Sequence, residues 1–257
     1  MALKSWLLVP GGSEKQLAKA GGSGADAVVL DLVVPREFKD GARARAREWL
    51  TLHRSPLAQG QRFERWVRID ALETPFWRDD LVAAMTGGPE GVILSGAAGP
   101  MTLQHVAAEI YELEQRNGIA SGCVRVMPEV GASARAALTI PAYLEASMPR
   151  LAGLVCGGAA LARAIGASPL RDSKLGWCDA VRLVRAQTLL TARGREIIAL
   201  DTMQADEADP ASCAHAARAE GFSGMLASHP SQLEAVNAAF GLPGTEVEAV
   251  PAALGAL

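Results

Sequence analysis

The sequence has no paired cysteines. Cys123, Cys156, Cys178 and Cys213 are scattered over 257 residues with no CxxC and no Cys/His spacing. That scatter argues against a zinc site and against a disulfide framework in a chain of this size. Long apolar runs are also missing. No stretch approaches the roughly 20 apolar residues that span a bilayer. The opening "MALKSWLLVPGG" holds too short an apolar run for a signal segment with a cleavage site. A strong charge of either sign is absent as well. The net charge of −3 gives no electrostatic case for nucleic acid or for an anionic membrane. Acids interrupt the basic stretch "REFKDGARARARE", and helical spacing spreads it over a solvated face. A reduced, cytoplasmic, soluble protein is the expectation.

What the sequence does have is apolar residues, 49% of the total, enough for one large core or two small ones. No linker or shift in composition divides the chain, so residues 1–257 are expected to form one domain. The Pro/Gly/Ala-rich tail 241–257 is expected to be loose or to dock on a partner. Short apolar runs recur at intervals of about 25–40 residues. They are "SWLLVP" (5–10), "AVVLDLV" (27–33), "RWVRID" (65–70), "GVILSG" (91–96), "VRVMPEV" (124–130), "GLVCGG" (153–158), "EIIALDT" (196–202) and "GMLASHP" (224–230). Most are continuous rather than alternating, as strands buried on both faces of a parallel sheet should be.

Segments with helical spacing lie between them. Ser13 with Gln16 and Ser231 with Glu234 fit capping boxes. Thr74-Pro75 and Asp209-Pro210 place a cap before a proline at the first helical position. Residues 41–50, 101–118 and 178–194 read as helices, the last two closed by Gly118 and Gly194. Eight strands alternating with helices predict a (β/α)8 TIM barrel, with an open doubly wound sheet as the alternative. The stretch 166–176 reads as a long functional loop after the sixth strand.

In such a barrel the chemistry sits where the strands end. The stretch "AVVLDLVVPREFKD" therefore matters: a buried run ends on a single acid, Asp31. Asp31, Asp70, Glu129 and Asp201 are expected to face one mouth, with Arg68 on the same side of the pleat as Asp70. Crowded carboxylates need a cation, an arginine or a bound ligand. Mg²⁺ takes such oxygen ligands, and the planar fork of Arg68 can hold a substrate carboxylate. Structural readings stand beside these. Arg68 could bridge Asp70 or Asp31, Asp201 could cap a helix or brace Arg68, and Asp70 could cap a loop. His229 before Pro230 reads as a turn or helix-start residue, and Cys156 as a small buried residue. Gly157 and Gly158 would let backbone approach a ligand.

These stretches resemble the citrate lyase beta-subunit-like branch of the HpcH/HpaI aldolase family over residues 4–241. The resemblance rests on "KSWLLVPGGSEKQLAKAGGSGADAVVLDL", "RWVRIDALETPFWRDDL", "EGVILSG", "MPEVGASARAAL", "LAGLVCGGAALARAIGA", "IIALDTM" and "EGFSGMLASHPSQLEAVNAAF". It implies a TIM barrel, often trimeric, that cleaves or forms carbon–carbon bonds in 3-hydroxy acyl-CoA thioesters such as citryl-, malyl- or citramalyl-CoA. It also implies Mg²⁺ held by a glutamate after the fifth strand and an aspartate after the sixth, with an arginine after the third touching the same ligand.

By this resemblance Arg68 takes the arginine's place, Glu129 that of the metal glutamate, and Pro10, Gly11 and Asp31 fit the pattern. The implied catalytic set is Arg68, Glu129 and Asp31; the implied substrate contacts are Arg68, Pro10, Gly11, Gly157 and Gly158. There are departures. Val33 and Val34 replace two acids, Ser95-Gly96 drops a lysine, Ala160 replaces the metal aspartate, and Met225 replaces a closing lysine. A drier, less charged pocket is expected. The implied function is a carbon–carbon lyase with an altered metal site, acting on a 3-hydroxy acyl thioester or small hydroxy acid. The alternatives are a non-catalytic homologue that binds an acyl-CoA or organic acid, or serves in an assembly, and a thioester hydrolase.

Overall fold

The computed structural model describes residues 3–54, 63–167 and 176–241. Eight parallel strands close into a barrel in chain order. They are β1 (Ser5–Pro10), β2 (Ala27–Asp31), β3 (Glu64–Ile69), β4 (Gly91–Ala97), β5 (Arg125–Val130), β6 (Gly153–Cys156), β7 (Ile198–Met203) and β8 (Gly224–Ala227). The ladder between β1 and β8, with Trp6 opposite Leu226, completes the circle. The (β/α)8 barrel forms, not the open sheet. Both faces of each strand are covered, which is why the runs are apolar throughout rather than alternating.

Three strands stop two or more residues earlier than their apolar runs suggest, each for a local reason. At β2 the Asp31 Oδ1 accepts the Val33 N–H at 3.0 Å and turns the chain. At β6 the helix Gly158–Ala164 begins at once. At β8 the segment His229-Pro230 enters a 3₁₀ turn.

The barrel is filled by large side chains set against small ones. Trp6 and Trp66 meet edge to face, with centroids 5.0 Å apart and planes at 64°. Room for them comes from the neighbouring strands, where Ala27 lies opposite Trp6 and Gly91 opposite Trp66. A Cβ on Gly91 would overlap the Trp66 ring. At the N-terminal end Glu64 accepts from the Trp66 indole at 2.8 Å and from Arg125 at 2.6 Å. The Arg125 guanidinium lies 5.1 Å over the Trp66 ring. A second apolar layer lies between the outer strand faces and the helices.

Helix starts follow local chemistry. Ser13 Oγ accepts from the Gln16 N–H at 3.4 Å, and Asp209 accepts from Ser212 ahead of Pro210. The Ser231–Glu234 box does not form. Pro230 makes His229 the last extended residue, so His229 Nδ1 accepts from the Ser231 N–H and Gln232 caps the His229 N–H at 3.1 Å. Thr74 likewise caps a turn at Phe76, and its helix starts at Trp77. Most of the loop expected at 166–176, and the tail from 242, lie outside the described residues.

Candidate functional site

At the C-terminal mouth three expected residues meet. Asp31 closes β2 directly beside Arg68 on β3 in the ladder. Arg68 Nη1 lies 3.2 and 3.3 Å from the two Asp31 oxygens. The guanidinium then reaches past β4 to β5, where Nη2 and Nε donate to Glu129 Oε2 at 2.8 and 3.3 Å. One planar fork therefore spans two carboxylates that would otherwise repel. All three side chains are largely buried. Burial lifts the Asp31 carboxyl above its ordinary pKa despite the pull of Arg68. Burial works against the Arg68 charge, but the Glu129 and Asp31 carboxylates outweigh it and raise its pKa.

A cavity of about 220 Å³ opens beside this cluster. Arg68, Glu129, Gly157, Ala160, Arg163, Thr202, Gln204 and Ser228 line it, over a floor that includes Leu8, Ile93, Val155 and Leu226. Of the other glycine and proline candidates, Pro10, Gly11 and Gly158 are not on its wall. Gly11 instead packs on the Asp31 carbonyl, to which its N–H donates at 2.9 Å.

Two of the four acids do not face the mouth. β7 points Leu200 and Thr202 inward, so Asp201 points outward. It accepts from Arg185 at 2.6 Å beneath the helix Asp179–Gly194, and burial lifts its pKa. Asp70 lies beyond the end of β3 and pairs with the buried Lys39, which also binds Asp80 at 2.8 Å. A buried ammonium needs carboxylate partners, and that need takes Asp70 away from Arg68. Cys156 is buried, and burial, with Asp201 close by, pushes its thiol up to about 12. Burial thereby favours its neutral thiol over the thiolate.

Sequence reasoning missed Thr202, Gln204 and Arg163. The parity of β7 points to Thr202. Arg163 lies three residues after Ala160 on the same short helix, the spacing that shares a face. Its Nη1 donates to Gln204 Oε1 at 3.1 Å. The wall thus regains a positive charge that the drier-pocket expectation left out.

The donor set does not fit Mg²⁺. That ion requires near-octahedral oxygen ligation, usually with one or two carboxylates and substrate oxygens. Among the described residues on the cavity wall Glu129 is the one carboxylate, and its Oε2 already accepts twice from Arg68. Position 160, on the same wall, is alanine. Among the described residues no group of three or more His, Cys, Asp or Glu could hold a metal.

Known proteins resemble the chain over most of its length. It is 30% identical over 249 residues to a (3S)-malyl-CoA thioesterase of Cereibacter sphaeroides, covering 95% of this chain and 79% of that protein. It is 29% identical over 246 residues to a citrate lyase subunit beta-like protein of Deinococcus radiodurans, covering 93% and 80%. The fold matches CitE from Mycobacterium tuberculosis, solved with magnesium, acetoacetate and coenzyme A. The TM-score is 0.70 at 28% identity, over 95% of this chain and 82% of that one. The family model for HpcH/HpaI aldolase/citrate lyase matches residues 4–230. A closed parallel barrel and a sequence match of that length lead to one assignment: the chain belongs to the HpcH/HpaI aldolase/citrate lyase family.

Proposed function

We propose that the chain is a carbon–carbon lyase acting at the mouth on a 3-hydroxy acyl thioester or a small hydroxy acid, without a carboxylate-held Mg²⁺. The observation that carries this reading is Glu129 on the cavity wall with the Arg68 guanidinium 2.8 Å away. In the cleavage direction the hydroxyl proton passes to Glu129 and the C–O bond becomes a carbonyl. The bond between the hydroxyl-bearing carbon and the α-carbon breaks. Its electron pair moves into the acyl fragment as an enolate, which then takes up a proton. Asp31 holds Arg68 in place, and Arg68 holds Glu129 ready and offers positive charge to the oxygens at the reacting end. The names of the relatives, a malyl-CoA thioesterase and a citrate lyase beta-like protein, support a CoA thioester as the substrate class. A homotrimer is part of this proposal.

One observation favours a second reading, binding of the organic acid or thioester without turnover: the loss of the acid at position 160. A single experiment separates the two. The protein is incubated with malyl-CoA or citryl-CoA, with Mg²⁺ or with EDTA, and the products are resolved chromatographically. Acetyl-CoA plus a keto acid, formed equally in EDTA, is the expected result. Free CoA with intact hydroxy acid would make the chain a thioesterase. Unchanged thioester that still raises the melting temperature would establish the binding reading. No reaction and no thermal shift would overturn both.

A further inference from the structure

We propose that Arg163 is the anchor for the guest's carboxylate, so that an arginine site stands where Mg²⁺ ligation has been lost. This rests on the lyase-or-binding reading above only in placing an organic acid in the mouth. Arg68 lies on β3 and Gln204 directly follows β7. In a closed barrel of eight strands these two are diametrically opposed. Arg163, held by Gln204, therefore lines the side of the cavity away from Arg68, at its exposed rim.

The two arginines differ in what they can offer. Arg68 directs its N–H groups to Asp31 and Glu129 from both sides. Together those three side chains carry a formal charge of −1, which repels an incoming carboxylate. Among the described residues Arg163 has the neutral Gln204 amide as its partner and no ion pair, and it is exposed, where an anion can reach it. Its seat is braced. The Gln204 carbonyl accepts from Gln232 Nε2 at 2.7 Å, and the preceding Met203 carbonyl accepts from Ser228 Oγ at 2.6 Å. A planar guanidinium matches a carboxylate by paired hydrogen bonds. The space of about 220 Å³ suits a small hydroxy or keto acid lying from Arg163 to Glu129. The carboxylate end then meets Arg163, and the hydroxyl or carbonyl end meets Glu129.

The test is calorimetric titration with malate, oxaloacetate and acetoacetate, once in EDTA and once in Mg²⁺. It uses the full chain and the variants Arg163→Gln and Arg163→Lys, with melting curves as a check on folding. We expect the native chain to bind at least one acid. Arg163→Gln should weaken that binding about tenfold, the loss of one charge-assisted pair, and Arg163→Lys should recover part of it. Native-like affinity in Arg163→Gln would overturn the anchor and leave the proposed function standing. Binding that appears only when Mg²⁺ is added would overturn the metal-free site. No binding by the native chain under either condition would bring down this inference together with the reading it rests on.

Discussion

Arg68 carries two carboxylates on one guanidinium, and removing it leaves Asp31 and Glu129 facing each other under the rim. Arg68→Ala should therefore lose about 3 kcal/mol of stability, the usual cost of stranding buried charge, along with turnover. Urea titration reads the first and the product assay the second. Neutralising the acids in the same background, with Asp31→Asn and Glu129→Gln, should return the stability and not the turnover. Recovery of turnover would show that Arg68 serves only the fold. Asp31 also sets a pH dependence. Its native pKa is raised, so its contribution is full below the unfolded value near 3.8 and declines as pH rises through the native value. The stability of Asp31→Asn relative to the native chain should accordingly improve as pH climbs from about 4 toward 7. A flat or opposite trend in paired urea midpoints would contradict the burial of that carboxyl.

Among the strands, the alternation of tryptophan and glycine decides how the barrel fills. Gly91→Ala places a methyl group against the Trp66 ring. It should cost about 1–3 kcal/mol by overpacking, seen as a lower melting temperature with unchanged far-ultraviolet circular dichroism. These strands were readable because burial on both faces leaves an unbroken apolar run that no other element of that length requires. Side-chain direction was less readable. Asp201 sits one residue from Thr202, and that single step of the pleat turns it from the mouth to Arg185. Asp70 was misjudged because its partner, Lys39, belongs to a distant helix that strand spacing does not reveal. Arg68, Asp31 and Glu129 were legible because each lies at a strand end with the right parity. Arg163 and Gln204 lie beyond the strands, where no periodicity marks which side chains turn inward.

For the molecule as a whole, the balance between metal and arginine can be read from its thermal response. The native chain should gain melting temperature from oxaloacetate in EDTA, and added Mg²⁺ should add nothing. Ala160→Asp places a second carboxylate on the wall that holds Glu129. That variant should become responsive to Mg²⁺ in the same scan. An Mg²⁺ shift in the native chain would overturn the metal-free reading, and none in the variant would mean that position 160 and Glu129 do not share a coordination point. The Trp6–Trp66 pair and the Glu64–Arg125 bridge below it stopper the far end of the cylinder. Among the described residues the mouth is thus a well closed at that end. A cleavage that makes two fragments from one must let them leave in sequence, and the fragment lying deeper has to wait for the other.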